Sequence, residues 1–194
     1  VLFIGTDMAV GKMTAGLELY SWLLEHNKKV GFVATGQIGI TIAGKGIPLD
    51  AFKVDHACGA VEQVVLDQAD KDILLIEGQG SLLHPGSTAT LPLMRGSCPT
   101  HLILCLRAEI KTLRSPEHIK IPDLNDFIAL NESLASVFGT FPRSRVIGIA
   151  ANTSMLSDND AKAYLSKTSK DTGLVTTDPI RYGIAPIGEE ILMS

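Results

Sequence analysis

One short run carries most of the chemistry legible in this chain: Gly5-Thr-Asp-Met-Ala-Val-Gly-Lys-Met-Thr14, set between an apolar stretch and a helical pattern. Its two glycines let backbone N–H groups turn inward, and the first turn of the following helix points unpaired donors at an anion. Lys12 is placed to reach the outer phosphates of such a ligand. Gly5, Thr6, Asp7, Ala9, Val10, Gly11, Lys12, Met13 and Thr14 are therefore the ligand-binding candidates. The usual phosphate loop, G-x-x-x-x-G-K-[ST], puts a hydroxyl directly after the lysine to hold magnesium. Here five residues separate the glycines and Met13 takes the place of that hydroxyl. One magnesium ligand is thereby lost, and Thr14 is the nearest substitute.

Other polar residues fall where they would serve the same ligand. Glu77 ends the apolar run Asp72-Ile-Leu-Leu-Ile and is followed at once by Gly78-Gln-Gly80. A carboxylate there can hold magnesium directly or through water, or act as a base. Asp55 opens a helical pattern, either as a helix cap or as a second metal ligand. Asn152 ends another apolar run, and its amide offers the donor and acceptor that adenine recognition requires. His84, in Ser81-Leu-Leu-His-Pro-Gly86, belongs to a loop expected to overhang the site, where an imidazole can act as a general base. Arg181, in Asp178-Pro-Ile-Arg181, is suited to a carboxylate or phosphate.

These residues need a scaffold that brings strand ends together. Apolar runs at Val1–Ile4, Val30–Ala34, Asp72–Glu77, Leu102–Leu106 and Val146–Ala151 read as five buried strands. Helices are expected between them. Residues 12–26 place Leu17, Tyr20 and Leu24 on one stripe; residues from Asp55 place Ala57, Val61, Val64 and Val65; a helix opened by Asp123 carries Leu124, Phe127, Ile128, Leu134, Val137 and Phe138. Ser157 with Asp160 starts a further helix that Gly173 stops. Thr35–Gly39 and residues 40–49 read as loop, and residues 107–122, with two prolines and mixed charge, as the most mobile loop. Alternating strands and helices imply an α/β fold: a doubly wound, mostly parallel sheet with ligands at the carboxyl ends of its strands.

Composition narrows the partners. With 17 basic and 21 acidic side chains the formal charge is −4, and no Lys/Arg-rich run stands out, so nucleic acid is not expected. No apolar run approaches the roughly 20 residues of a membrane span, and no signal peptide precedes the first strand. Cys58, Cys98 and Cys105 show no paired metal spacing and read as reduced thiols of a cytoplasmic protein. A small-molecule substrate and further copies of the chain, in a homo-oligomer, are the expected partners.

The five-residue loop opening on Gly-Thr-Asp resembles dethiobiotin synthetase and its P-loop relatives, which carry Thr where this chain has Met13. A wider resemblance rests on five motifs: the loop itself, Thr35-Gly-Gln-Ile-Gly39, Asp55-His-Ala-Cys-Gly-Ala-Val-Glu62, Ile76-Glu-Gly-Gln-Gly-Ser-Leu-Leu-His-Pro-Gly86 and Thr176-Thr-Asp-Pro-Ile-Arg-Tyr-Gly183. Together they resemble the carboxyl-terminal P-loop domain of the D-glutamate N-acetyltransferase-like proteins, long catalogued as a domain of unknown function. The resemblance implies a P-loop fold over residues 1–194 and a smaller Rossmann-like domain upstream, in keeping with the abrupt start at Val1. It implies transfer of an acetyl group from acetyl-CoA to D-glutamate or a similar amino acid, with Gln37 and Arg181 as substrate-binding candidates and His84 or Glu77 as base. Acetyl-CoA suits the loop because coenzyme A carries an adenosine diphosphate. The rival readings are ATP/magnesium-dependent ligase or kinase chemistry of dethiobiotin synthetase type, with Thr14, Asp55 and Glu77 on the metal, and a nucleotide-binding module without turnover.

Overall fold

Five apolar runs become strands because they can be buried within the sheet, and the short, partly buried Val-Thr-Thr adds a sixth at its edge. In a computed structural model describing all 194 residues they are β1 (Leu2–Gly5), β2 (Val30–Val33), β3 (Ile73–Ile76), β4 (His101–Arg107), β5 (Arg145–Asn152) and β6 (Val175–Thr177). All pair in parallel, in the order β2-β3-β1-β4-β5-β6. Seven α-helices cover the sheet: α1 (Lys12–Glu25), α2 (Gln37–Ala43), α3 (Val54–Leu66), α4 (Thr90–Ser97), α5 (Leu124–Ser136), α6 (Asp158–Thr172) and α7 (Ala185–Met193). The fold is the α/β parallel architecture expected from the sequence.

Alternation along each strand divides the core in two. Leu2, Ile4, Ile76, Leu102 and Leu104 face the side covered by α3, α4 and α5, where Val61, Leu93 and Phe127 meet them. Phe3, Phe32, Leu75 and Ile103 face α1 and α7, meeting Leu19, Leu23 and Ile187. Burying each such side chain contributes about 1.5–3 kcal/mol. β1 and β4 are neighbours, and the crossover from β1 runs to β2 at one edge of the sheet while that from β4 runs to β5 on the other side, so the two leave in opposite directions. The crevice at their carboxyl ends is where a doubly wound sheet receives ligands.

The helices depart from the sequence reading in three places. Residues 37–43 form α2 and Leu49–Ala51 a turn of 3₁₀ helix, where loop was expected. The buried stripe of α1 is Ala15, Gly16, Leu19 and Leu23, while Leu24 is 47% exposed. α5 ends at Ser136: Val137 and Phe138 take left-handed φ values of 45° and 52°, and Phe138 is 95% exposed rather than on the helix's apolar face. Helices α4 and α7 and strand β6 add to the expected elements. The caps at Asp123 and Ser157, each accepting a backbone N–H of the first turn, and the left-handed Gly173 are as the sequence implies.

Candidate functional site

Gly11 adopts φ 103°, a left-handed turn that delivers the chain into α1 with no side chain capping its first turn. The N–H groups there remain available, as an anion site needs. Lys12, buried at 7% exposure, folds back so that its Nζ donates to the Asp7 carbonyl oxygen at 2.9 Å. Burial lowers its pKa from the ordinary 10.5, and the nearby charges of Asp7 and Glu77 oppose that shift. An ammonium with one neutral acceptor in a dry setting is under-partnered, and phosphate oxygens would supply what it lacks.

The Asp7 carboxylate is also buried. Its Oδ1 accepts the Met8 N–H at 2.7 Å and its Oδ2 accepts the Arg114 N–H at 2.8 Å, which straps residues 108–122 onto the loop. The sequence implies mobility for residues 107–122, whereas the structure ties them down. They are pinned further by the fully buried Leu113 and by a bridge between Thr112 and Lys120.

Glu77, at the carboxyl end of β3, is held by α2 and the turn before it. Its Oε2 accepts the N–H groups of Thr35 and Gly36 at 2.9 and 3.0 Å. The other carboxylate oxygen receives neither donor. Glu77 shares a cleft of about 660 Å³ with Met8, Lys12, Met13, Thr14, Gln37 and Asp50. Gln37 donates to Asp50 Oδ2 across that cleft at 3.3 Å.

A second cleft, of about 290 Å³, opens on the opposite flank of α1 and is lined by Val10, Gly11, Thr14, Asn152, Pro179, Ile180 and Arg181. Asn152 Oδ1 accepts the Ser154 N–H at 3.0 Å, leaving its amide donors for a ligand. Arg181 donates to the carbonyls of Leu156 and Ser157 at 2.7 and 3.4 Å, closing the rim. Behind them Asp178 organises the wall. Its oxygens accept from the Thr153 hydroxyl and N–H and from the N–H groups of Ile180 and Arg181. Burial pushes its pKa up, but these donors outweigh burial and hold the carboxyl below its ordinary 3.8.

The structure thus brings the loop, Glu77, Gln37, Asn152 and Arg181 to one end of the sheet. Asp55 and His84 are placed elsewhere. Asp55 lies exposed in the first turn of α3, whose N-cap is Lys53, and does not line the cleft. The acid there is Asp50, which lies just past the 40–49 loop and which no motif in the sequence singles out. His84 Nδ1 accepts the Gly86 N–H at 3.1 Å, so Nε2 carries the hydrogen and donates to the Ser115 carbonyl at 2.6 Å. With both nitrogens engaged by backbone, it clasps the 108–122 segment and lines neither cleft. Cys58, Cys98 and Cys105 are free, and burial pushes the Cys105 thiol up to about 12, so it is un-ionised at neutral pH. No helix is long and apolar enough to cross a membrane.

Known proteins resemble this chain in sequence and fold. The chain is 46% identical, with a TM-score of 0.97, to the crystal structure of a DUF1611 family protein from Anabaena variabilis, covering 100% of this chain and 57% of that one. It is 36% identical over 188 residues to a D-glutamate N-acetyltransferase from Pseudoalteromonas sp, covering 96% of this chain and 56% of the relative. Identity to a protein of the same name from Tritonibacter scottomollicae is 37% over 183 residues, covering 94% and 54%. The chain therefore spans about half the length of the curated relatives it matches. At the level of fold alone, a nucleotide-binding protein from Archaeoglobus fulgidus in complex with ADP superposes with a TM-score of 0.54 at 13% identity, covering 97% of this chain and 84% of that one. Residues 1–188 match the P-loop domain described as a domain of unknown function, DUF1611_C, and the chain belongs to that family.

Proposed function

We propose that this chain is the phosphate-binding domain of an N-acetyltransferase that moves an acetyl group from acetyl-CoA to the amine of D-glutamate or a similar amino acid. The observation that carries the reading is that Val10, Gly11 and Thr14 line both clefts at once. A diphosphate on the loop then has a nucleoside cleft on one flank and a larger cleft for its reacting arm on the other. The adenosine diphosphate of coenzyme A fits that division, with Asn152 and Arg181 at its adenosine end and Lys12 on its phosphates. The names of the curated relatives support the acyl acceptor. A smaller Rossmann-like domain, outside these residues, and a cytoplasmic setting for the three thiols complete the proposal.

Acetyl transfer joins the amine nitrogen to the thioester carbonyl carbon and releases the coenzyme A thiol, so the ammonium must first give up a proton. Glu77 is the base in this reading. Its carboxylate is fixed by two backbone N–H groups on one oxygen, and the residue borders the larger cleft. His84, committed to two backbone partners, positions the neighbouring loop instead. Gln37, beside Asp50, orients the arm or the acceptor.

A second reading is favoured by the oxygens of Thr14, Asp50 and Glu77 along the larger cleft. These hard donors suit a magnesium ion carried in with nucleotide phosphates, and such an ion would neutralise phosphate charge. The chain would then run ATP-dependent chemistry. Incubating full-length protein with acetyl-CoA and D-glutamate, and separately with ATP and magnesium, distinguishes the readings by mass spectrometry of the products. N-acetylated D-glutamate is expected; ADP formation without it overturns the acetyltransfer reading.

A further inference from the structure

A third opening, of about 380 Å³, lies beyond the crest of the phosphate loop, between residues 6–10 and the strapped segment that follows β4. Two guanidinium groups and one carboxylate line it: Arg107, Arg114 and Glu117. None of the three belongs to an ion pair. Arg107 makes one long contact, 3.5 Å to the Ala9 carbonyl. Arg114 is anchored through its backbone N–H on Asp7, which fixes the root of the side chain without using its guanidinium. The remaining acid of the wall, Asp7, has each oxygen taken by a backbone N–H.

Two cations and one anion are therefore available to a ligand, facing an apolar wall that includes the fully buried Leu113. From this charge pattern we infer that the opening binds an amino dicarboxylic acid. Its two carboxylates pair with Arg107 and Arg114, for which a guanidinium fork is well shaped, and its ammonium with Glu117. The ligand's net charge of one negative balances the net positive charge of the three side chains. The opening shares Met8, Ala9 and Val10 with the cleft of Glu77, so a ligand bound here adjoins the phosphate loop. The choice of ligand rests on the acetyltransfer reading; the charge pattern does not.

The test is calorimetric titration of the full-length protein and its Arg114→Gln and Glu117→Gln variants with D-glutamate and with glutarate, which lacks the amine. Arg114→Gln should weaken both ligands at least about tenfold, the loss of one charge-assisted contact. Glu117→Gln should weaken D-glutamate by a similar factor and leave glutarate unchanged or tighter. Unaltered melting temperatures and ADP affinity show that neither variant disturbs the fold or the loop. Unchanged D-glutamate affinity in both variants, or no binding of either ligand to the unaltered protein, overturns the assignment. Measuring acetyl transfer alongside separates the two ideas. Product formed with an unchanged KM for D-glutamate in both variants removes the site but keeps the reaction, whereas variant-sensitive binding without product keeps the site and removes the reaction.

Discussion

Lys12 Nζ donates to the carbonyl oxygen of Asp7, five residues earlier in the same loop, at 2.9 Å. The bond holds a buried ammonium in place at the cost of leaving its other donors unmatched. Asp7 in turn anchors Arg114 through its side chain, so a single loop residue links the phosphate cradle to the segment that follows β4.

Replacing Lys12 with Met separates binding from folding. The substitution keeps most of the apolar stem and removes a desolvated charge, so the unliganded protein should melt at or above the unaltered temperature. Affinity for a phosphate ligand should fall by about 10- to 100-fold for each charge-assisted bond lost. Titration with coenzyme A and with ADP, beside a melting curve, checks both halves. Retained affinity for both ligands removes the loop assignment.

Asp178 is the acid whose titration should be visible in stability. Its folded pKa lies below 3.8, so its contribution is fully present above that value and is lost as pH falls through the folded pKa. Asp178→Asn presents an NH₂ group to N–H groups that need an acceptor, and should cost about 2–4 kcal/mol at neutral pH. The gap between variant and unaltered protein should narrow as pH drops below about 4. Urea denaturation across pH 3–7 measures it, and a gap independent of pH would show that Asp178 is not the titrating group.

Thr14 and Met13 decide whether metal matters. If the loop cradles coenzyme A, Thr14→Ala leaves that affinity little changed, with or without EDTA. If a magnesium–nucleotide is the true ligand, Thr14→Ala weakens ATP only when magnesium is present. Met13→Thr restores a hydroxyl beside Lys12 and should add magnesium dependence to ATP binding. Met13 is half-buried, so up to about 1–3 kcal/mol of apolar contact is at risk and stability must be followed in parallel.

What the sequence reveals depends on how local the cause is. The five longer strands are legible because a strand buried on both faces is a continuous apolar run, and the phosphate loop because its donors and Lys12 are adjacent in the chain. The stripe of α1 is less legible. Leu17, Leu19, Tyr20, Leu23 and Leu24 spread over an arc of about 160°, so periodicity does not choose between Leu23, fully buried, and Leu24, 47% exposed. α2 is hidden by glycines that signal loop, although Gly39 is present to admit Glu77, a tertiary reason invisible in the local pattern. The bond joining Asp7 to Arg114 spans 107 residues of chain and exists only once β1 and β4 are neighbours. Asp50 likewise enters the cleft through the turn that follows α2, whereas Asp55, five residues on, is carried away by α3.

Gly39 offers a test of Glu77 that leaves its chemistry untouched. A Cβ on Gly39 would stand 2.2 Å from Glu77 Oε2 and 2.8 Å from its Cδ, and the carboxylate is tied to the N–H groups of Thr35 and Gly36. Gly39→Ala must therefore displace either α2 or the carboxylate, at about 1–3 kcal/mol. Glu77→Gln is the complement: an amide oxygen can still accept from Thr35 and Gly36, so position is kept and basicity is lost. If Glu77 is the base, Glu77→Gln should lower kcat for acetyl transfer by about 10²- to 10⁴-fold with the affinity for coenzyme A preserved. Gly39→Ala should lower both kcat and the melting temperature. Full kcat in Glu77→Gln would transfer the role of base to another residue of the cleft, with Asp50 the first to examine.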